Sequence, residues 1–448
     1  MLMKKINCLK PAKKITALIL CAVMVLAFVP VSYAADYFLL DPIGLVIKAE
    51  GDECGVKAYN AEYDNNVYIS MRELSSALKG TSAAFSFEAG YTQNDGSFFT
   101  VNSTEPAEFQ TFWNTDDSRE PVWLEFRRNR LFYNGSERKY YTYKDESGDL
   151  YMSLTDIQLM LNINAEKTAD GAVEFHTGDK FTVDIDELEA EGYFDYMSGI
   201  VLGDAETGRI IYSKNKNVKT SIASTSKLMS LLIIAQALQA GEITLSDSVY
   251  ISPNAEKLSQ SADGIINLTA GEYKPISELL SAMMIASSNE CTLAIAEHIC
   301  GSEAAFVERM NAKAKELKLS TAVFYNSNGL PVYSEGALSS KKQNMMSAGD
   351  MFTLAQYLLN NYPTITEITK NQFASMPSLD YTTANSNALV FNLEGVNGLK
   401  TGSTKRAGYC LVASTEEGYI LVLFGAENAA ERDRASELLL RYAKEIEK

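Results

Sequence analysis

Apolar strand-like runs on both sides of a long helical region constrain the fold more than any other feature of the sequence. Residues 224–359 carry mostly helical patterns, and a last helical pattern surrounds residues 438–442. The strand-like runs are 199–202, 209–212, 409–412 and 419–424. The first two flank a short turn and predict an antiparallel hairpin. Strands before and after a helical middle predict one sheet built from distant segments, with helices packed on it.

The region before residue 186 differs in sequence pattern from the rest of the chain and contains a weak internal repeat. Residues 68–74 are echoed by residues 151–157, and each copy continues as an amphipathic helix. Each then reaches an Asp-Gly turn, at Asp95-Gly96 or Asp170-Gly171, and another strand. We therefore predict a duplicated α+β module over residues 35–185, with a run such as 98–101 as one of its strands. The acidic run that follows marks the boundary to a second domain, residues 186–448.

The first 34 residues predict a secretory signal. Five lysines precede an unbroken apolar run over residues 15–31, and the first acidic residue is Asp36. Small residues occupy the −3 and −1 positions, Ser32 and Ala34, which favours cleavage after Ala34 and export to the cell envelope or beyond. The alternative is an uncleaved anchor helix, which this run would build only at the short end of a membrane span.

Composition excludes several classes of function. Lys+Arg 40 against Asp+Glu 57 gives a net charge of −17, the wrong sign for a nucleic-acid-binding protein. The two histidines, His176 and His298, are too few for a multi-histidine metal site and nearly exclude a Ser-His-Asp triad. We predict neither a metal nor a cofactor, and the cysteines beyond the signal are predicted to be buried thiols. These cysteines are Cys54, Cys291, Cys300 and Cys410.

A serine and a lysine three residues apart supply a candidate nucleophile and base. Ser224 and Lys227 open a helical pattern, and this spacing puts both side chains on one face. The positive end of the helix dipole favours a developing alkoxide at Ser224. To act near neutrality, Lys227 must have its pKa lowered by about 3 units from ~10.4, which burial and a second cation can achieve. The same spacing also begins at Ser76, Ser136, Ser213 and Ser339, so the pair alone is weak.

Two motifs later in the sequence distinguish Ser224 and Lys227 from the other Ser-x-x-Lys pairs. Ser287 and Asn289 follow in a Ser-Ser-Asn run where one helical pattern breaks before the next. Lys400, Thr401 and Gly402 form the one Lys-Thr-Gly in the chain, on the first strand of the C-terminal set. The ordered trio is the motif set of penicillin-binding proteins and β-lactamases.

On these residues, the segment from about 195 to 448 resembles the low-molecular-mass penicillin-binding proteins that are serine-type D-alanyl-D-alanine carboxypeptidases. Residues 204–209, 310–314 and 326–331 also match the pattern of that family. The resemblance implies a β-lactamase/transpeptidase-like α/β (α+β) fold, an antiparallel sheet flanked by helices. It also implies a hydrolase that removes the terminal D-alanine from peptidoglycan stem pentapeptides and binds β-lactam antibiotics as inhibitors.

The resemblance assigns a role to each motif residue. Ser224 is the nucleophile, Lys227 its base, and Ser287 the relay to the leaving amine, while Asn289 holds the substrate amide and positions Lys227. Lys400 and Thr401 face the substrate carboxylate, Lys400 is the cation near Lys227, and Gly402 lets the substrate backbone approach. The backbone N–H groups of Ser224 and Ser403 form the oxyanion hole. The family often has histidine where Asn328 stands and a larger residue at Ser403, which bears on substrate preference and rate.

Other interpretations stay open at this point. Ser224 with Lys227 could be a helix cap beside a solvated lysine, Lys400 a surface charge, and Ser287 a simple N-cap. A β-lactamase of the same fold needs a positioned glutamate, for which residues 335–339 are the nearest match. A catalytically silent wall-binding or sensory protein is the alternative from another class.

The duplicated module over residues 35–185 loosely resembles the N-terminal module of copper amine oxidases. Nothing in this sequence supports a copper site, because the module holds one histidine, His176. We therefore predict a spacer or wall-binding module without metal.

Overall fold

The computed structural model describes residues 36–61, 66–92, 96–103, 122–332 and 342–446. The predicted signal segment lies outside these ranges, so its cleavage stays a prediction. In the described ranges, no helix combines the length and the apolar character needed to cross a bilayer.

The described part of the N-terminal half contains two sheets and two short helices. Its elements are β1 (Asp36–Ala49), β2 (Asp52–Ala61), β3 (Asn66–Ser70), α1 (Met71–Ala77), β4 (Ser86–Thr92), β5 (Gly96–Asn102), β6 (Val122–Arg128), β7 (Arg130–Tyr133), β8 (Ser136–Arg138), β9 (Tyr141–Lys144), β10 (Leu150–Ser153), α2 (Leu154–Leu161), β11 (Asn164–Lys167) and β12 (Val173–His176). The larger sheet has the order β11-β12-β1-β2-β3-β10-β9-β6, and the smaller has the order β4-β5-β7-β8.

The predicted internal repeat is visible in this half. Ser70 and Ser153 each cap a helix, accepting a backbone hydrogen bond from the residue three positions on. The strands that end at these two serines, β3 and β10, pair antiparallel in the centre of the large sheet. Asp170 and Gly171 lie in the turn between β11 and β12, as predicted. Asp95 of the first Asp-Gly pair lies outside the described residues.

The C-terminal half surrounds a second antiparallel sheet. Its elements are α3 (Ile185–Ala190), β13 (Gly199–Asp204), β14 (Ile210–Lys214), β15 (Thr220–Ser221), α4 (Lys227–Gln239), β16 (Ser248–Tyr250), α5 (Pro253–Ser259), β17 (Tyr273–Pro275), α6 (Ile276–Ser281), α7 (Asn289–Cys300), α8 (Glu303–Glu316), β18 (Met345–Met346), α9 (Ala348–Asn361), α10 (Thr366–Thr369), β19 (Phe373–Met376), β20 (Tyr381–Ala384), α11 (Leu389–Asn392), β21 (Val396–Thr404), β22 (Gly408–Thr415), β23 (Tyr419–Ala426) and α12 (Ala429–Ile446). The sheet has the order β14-β13-β23-β22-β21. The hairpin before the helical region therefore joins the strands after it, which confirms the predicted architecture.

The central sheet separates two apolar layers. Val201 and Val422 are opposite each other and face the core that contains α4. Their neighbours Leu202 and Leu421 face the opposite core, which contains residues of α12. Side chains alternate between the two faces of a strand, so the apolar runs seen in the sequence fill both layers.

Helix α4 lies in the core of the C-terminal half. All of its residues from Lys227 to Ala235 are buried, which is typical of a helix covered on every side. Each fully buried Leu, Ile or Met side chain stabilises the fold by about 1.5–3 kcal/mol. Lys227 is the first residue of this buried helix, so the backbone that carries the candidate base is held in place by the surrounding core.

The acidic run predicted to mark the domain boundary forms α3. The Asp184 carboxylate caps this helix by accepting hydrogen bonds from the backbone N–H groups of Asp186 and Glu187. Ile185 and Phe194 belong to the core beneath α12. The division of the chain after residue 185 stays a prediction.

Helix α12 is shared by both halves. Leu438 packs in the N-terminal core, whereas Leu439 and Leu440 pack beneath the central sheet. Arg434 on the same helix forms a two-pronged ion pair with Asp156 of α2, with distances of 3.0 Å from Nε to Oδ1 and 2.9 Å from Nη2 to Oδ2. Both side chains are buried. The two halves are thus joined by apolar packing and by a buried charge pair.

Candidate active site

Ser224 lies on a short 3-10 turn, Ala223–Ser226, that runs directly into α4. The sequence analysis placed it on the first turn of the α-helix itself. Thr225 Oγ1 donates a hydrogen bond to the Ile222 carbonyl at 2.5 Å, and Ser226 Oγ donates to the Ala223 carbonyl at 2.6 Å. These local bonds engage the two neighbouring hydroxyls, whereas the Ser224 hydroxyl faces Lys227.

The backbone behind the nucleophile is tightly constrained. Ala223 has φ +48°, a left-handed conformation that residues with a Cβ rarely adopt. Gly329 packs behind it, and a Cβ at that glycine would lie 2.1 Å from the Ala223 carbonyl oxygen. The segment 326–331, which the sequence analysis matched to the family pattern, therefore supports the turn that carries Ser224.

The Lys227 amine has three hydrogen-bond partners. Its Nζ lies 2.8 Å from Asn289 Oδ1, 2.9 Å from the Asn328 carbonyl oxygen and 3.0 Å from Ser224 Oγ. The two amide oxygens can only accept, so they take both protons of a neutral amine. The remaining lone pair is then directed at the Ser224 hydroxyl, which is the arrangement a general base requires.

Burial prepares the lysine for this role. It lowers the pKa of Lys227 to about 7, while the Glu290 carboxylate acts in the opposite direction. A lowered pKa makes the neutral amine accessible near neutral pH. The sequence analysis expected Lys400 to help lower the pKa of Lys227. Burial is the main cause at both lysines, and the repulsion between them lowers the pKa of Lys400.

Asn289 is the first residue of α7, and its orientation is fixed on both sides. Its Nδ2 donates a hydrogen bond to the Asp263 carbonyl oxygen at 2.9 Å, which leaves Oδ1 to accept from Lys227. Because a carbonyl cannot donate, the opposite orientation of the amide would break both bonds. Asn289 therefore links the helix break to the nucleophile.

Ser287 lies between the π-helical segment Ala282–Ala286 and α7, and its φ is +65°. The cap of α7 is the next residue, Ser288, whose hydroxyl accepts a hydrogen bond from the Cys291 N–H at 3.1 Å. This removes the interpretation of Ser287 as the N-cap. Its side chain is half-buried, on a backbone conformation that is unfavourable for a serine.

Lys400 and Thr401 are both buried, at 1% and 5% exposure. Lys400 is therefore not a surface charge. Its Nζ donates a hydrogen bond to the Thr401 carbonyl oxygen at 2.9 Å. Burial, with repulsion from Lys227 and Arg432, holds the pKa of Lys400 well below its usual range. A buried ammonium group without a counter-ion is stabilised when an anion binds beside it.

Gly402 lies against the nucleophile turn. A Cβ at this position would lie 2.7 Å from the Ser224 nitrogen and 2.9 Å from the Thr225 nitrogen. The packing of the nucleophile turn thus requires a glycine here. Ser403 follows on the same strand with an exposed side chain. Among the described strands of its sheet, β21 lies at the edge, the position at which an extended peptide can add as a further strand.

Three contacts bring the predicted residues into one site. The hydrogen bond between Lys227 and Asn289 joins the nucleophile to the helix break. The approach of Gly402 to Ser224 joins the nucleophile to β21. Ser386, on the loop after β20, joins the helix break to β21. The three sequence motifs therefore converge around Ser224.

Two members of this cluster were missed from the sequence. Ser386 Oγ lies 2.8 Å from Thr401 Oγ1, and its N–H donates a hydrogen bond to the Ile285 carbonyl at 3.2 Å. The backbone carbonyl of Asn328 is the other. A main-chain acceptor has no signature in the sequence, and Ser386 belongs to no motif, so only the tertiary structure identifies them.

Both histidines lie elsewhere. His298 is exposed in the last turn of α7, and His176 lies on β12, with Nε2 3.4 Å from Glu166 Oε1. Cys291 and Cys410 are buried, as predicted, but Cys54 and Cys300 are only partly buried. All four are free thiols.

A family model for D-alanyl-D-alanine carboxypeptidases, peptidase family S11, matches residues 195–428. This match spans more than half of the chain. The chain belongs to this family. The matched segment contains every residue of the site described above, and the resemblance noted from the motifs is confirmed.

Curated relatives carry the same family name. D-alanyl-D-alanine carboxypeptidase DacF of Bacillus subtilis is 38% identical over 249 residues, which cover 54% of this chain and 61% of the relative. DacC of Escherichia coli is 30% identical over 248 residues, which cover 54% of this chain and 60% of the relative. The match therefore spans less than two-thirds of the length of each of these carboxypeptidases.

Solved structures agree with the fold. A peptidoglycan synthesis regulatory factor (PBP3) from Streptococcus pneumoniae has a TM-score of 0.51 at 32% identity, covering 56% of this chain and 73% of that one. The D-alanyl-D-alanine carboxypeptidase DacD from Francisella tularensis has a TM-score of 0.51 at 27% identity, covering 56% and 70%. The carboxypeptidase family thus accounts for the C-terminal half, and the β-lactamase/transpeptidase-like fold predicted for it is confirmed.

Proposed function

We propose that this protein is a serine-type D-alanyl-D-alanine carboxypeptidase that removes the terminal D-alanine from peptidoglycan stem peptides through an acyl-enzyme. The observation that supports this most strongly is the Lys227 amine. Two of its contacts are obligate acceptors, so its lone pair is left for the Ser224 hydroxyl at 3.0 Å.

Acylation begins when Lys227 takes the proton of the Ser224 hydroxyl. The Ser224 oxygen attacks the carbonyl carbon of the penultimate D-alanine, and a tetrahedral oxyanion forms. As the oxyanion collapses, the bond to the terminal D-alanine breaks, and its nitrogen receives a proton from the Ser287 hydroxyl. Ser287 recovers that proton from Lys227, so D-alanine leaves with its electron pair and the enzyme keeps the acyl group.

The oxyanion is stabilised by backbone donors at the contact between the nucleophile turn and β21. The N–H groups of Ser224 and Ser403 are the proposed donors, and each is worth about 3 kcal/mol of transition-state stabilisation. The close approach of Gly402 to the Ser224 nitrogen keeps the two donors near each other. The substrate backbone then lies along the edge of β21 as an additional strand.

No carboxylate of the described residues pairs with Lys400, and the terminal carboxylate of the substrate supplies an anion there. Lys400 and Thr401 are the proposed carboxylate-binding residues, and both are buried. Binding of the carboxylate favours the protonated form of Lys400 and thereby selects substrates with a free C-terminus. This selectivity is what distinguishes a carboxypeptidase from an endopeptidase.

Deacylation completes the cycle with water. Lys227 removes a proton from a water molecule, whose oxygen attacks the ester carbonyl, and the Ser224 oxygen leaves as it regains a proton. A β-lactam presents its ring amide in place of the scissile peptide bond, so it acylates Ser224 by the same route. We propose β-lactam antibiotics as inhibitors and the extracytoplasmic cell envelope as the location, since peptidoglycan is there.

Release of D-alanine from a pentapeptide ending in D-Ala-D-Ala tests the activity. Wild type releases D-alanine, and Ser224→Ala does not. Ser213→Ala is the matched control, because Ser213 also begins a Ser-x-x-Lys sequence but lies exposed on β14. Equal release by wild type and Ser224→Ala contradicts the proposal and favours a catalytically silent wall-binding protein.

A fluorescent penicillin separates the carboxypeptidase from a β-lactamase. The proposal predicts a stable label on Ser224, visible by mass spectrometry of the intact protein. Rapid hydrolysis of the antibiotic without accumulation of label favours the β-lactamase. The glutamate segment considered for that alternative, residues 335–339, lies outside the described residues.

For the N-terminal half we propose a spacer or wall-binding module. The duplicated strand–helix unit supports the resemblance to the copper amine oxidase N-terminal module, and among the described residues no cluster of three His, Cys, Asp or Glu side chains is arranged to hold a metal. Co-sedimentation of the full chain with purified peptidoglycan sacculi tests wall binding. The Ser224→Ala variant sediments as wild type does if the module, rather than the catalytic cleft, holds the wall.

A further inference from the structure

Glu290 is a fully buried acid next to Asn289, and only one of its two carboxyl oxygens has a hydrogen-bond partner among the described residues. Its Oε1 accepts hydrogen bonds from the backbone N–H groups of Ile265 at 3.1 Å and Ile266 at 2.5 Å. Its Oε2 is buried and has no hydrogen-bond partner within the described residues. A buried carboxylate oxygen without a donor is costly, so its presence beside a reactive lysine calls for a reason.

Glu290 and its neighbour Asn289 hold the same loop. Asn289 bonds the Asp263 carbonyl with Nδ2 and presents Oδ1 to Lys227, while Glu290 binds the loop two and three residues further on. The loop is therefore attached to the first turn of α7 at two successive positions. Displacing it would release the amide that orients the lysine.

Three charged or titratable groups from the elements around it interact electrostatically with the Lys227 amine. Glu290 and Cys291 lie on α7, and Lys400 lies on β21. Burial raises the pKa of the Cys291 thiol well above neutrality, so the thiol carries no charge at pH 7. Burial lowers the pKa of Lys400, and Arg432 of α12 acts in the same direction. Glu290 is thus the acid of this set that favours the protonated form of Lys227.

We infer that Glu290 is a positioning residue of the reaction, whose Oε1 holds the loop at 263–266 that Asn289 also binds and whose negative charge acts on the Lys227 amine. This inference rests on the proposed carboxypeptidase activity. Its physical effect is to offset part of the desolvation of the lysine, so that the amine keeps enough basicity to remove the serine proton.

Glu290→Gln isolates the charge. The amide oxygen of glutamine can still accept from Ile265 and Ile266, but the negative charge is removed. The rate constant for acylation by a fluorescent penicillin is measured from pH 5 to 9. We expect the acid limb of this profile to move to lower pH by about one unit, because the lysine loses its proton more readily. An acid limb that coincides with wild type overturns the inference.

Glu290→Asp is the matched control. It keeps the charge but shortens the side chain, so the contacts with the loop are weakened. We expect a lower plateau rate with the acid limb at the wild-type pH. If Glu290→Gln does not fold, Glu290→Asp alone tests the inference. An acid limb that shifts while the plateau acylation rate stays at the wild-type value contradicts it. A wild-type protein that is not acylated at all refutes the proposed function instead.

Discussion

The buried ion pair between the two halves permits a quantitative test of how firmly they are joined. Asp156 and Arg434 meet through two hydrogen bonds of 3.0 and 2.9 Å, and their side chains are 4% and 2% exposed. Removing one member leaves an uncompensated buried charge, which costs about 3–5 kcal/mol. We therefore expect Asp156→Leu to lower the free energy of unfolding by about this amount.

The double variant shows whether the cost comes from the unpaired charge. Replacing the pair with Asp156→Leu and Arg434→Met removes both charges and keeps apolar volume, so it should cost less than Asp156→Leu alone. Guanidinium unfolding followed by circular dichroism measures all of these variants. The exposed pair of Lys370 and Glu367 is the control, and Lys370→Met should cost less than about 1 kcal/mol.

Two results would refute this reasoning. The first is an Asp156→Leu variant within about 1 kcal/mol of wild type, which would mean that the charge is solvated or that the halves are not docked in solution. The second is a double variant whose cost equals the sum of the costs of Asp156→Leu and of the single variant Arg434→Met, measured in the same way, because residues that interact directly are not additive.

Three further predictions concern the cleft. With the pKa of Lys227 lowered to about 7, the acylation rate by penicillin should rise with pH through a midpoint near 7, as the neutral amine forms; a midpoint above 9 in a stopped-flow profile contradicts this. Gly402→Ala should reduce the acylation rate about 100-fold by displacing the Ser224 backbone while circular dichroism stays unchanged, and labelling at the wild-type rate argues against that contact. Ser386→Ala should raise KM for the pentapeptide about 2–10-fold, with a smaller change in kcat, because Thr401 loses its partner; steady-state kinetics with an unchanged KM removes Ser386 from carboxylate binding.

The fold of the C-terminal half was predictable because its signals are local. The apolar runs of β13, β22 and β23 are long enough to identify strands buried on both faces, and the pattern between them is helical. The 3-10 turn at Ser224 was not predictable in the same way. Its geometry depends on the left-handed Ala223, which is held by the packing of Gly329 against it. Distant contacts set that conformation, and the sequence near Ser224 does not encode it.

The site residues also differ in whether the sequence near them reveals their role. Side chains whose chemistry is intrinsic, such as Ser224, Lys227 and Asn289, were found because their spacing forms known motifs. Ser386 and the Asn328 carbonyl contribute through their place in the fold, and neither residue type points to a role. The sequence showed only part of why a glycine is needed at position 402, because the turn at Ser224 that packs against it lies far away in the sequence.

The position of α12 in the chain has a consequence for how the molecule is made. Leu438 belongs to one apolar core and its neighbour Leu439 belongs to the other, and both follow in sequence the strands that they cover. The segments that α12 covers are synthesised before it, so neither core can reach its final packing until α12 has formed. A chain truncated before Ala429 lacks α12 and therefore exposes apolar residues of both cores at once.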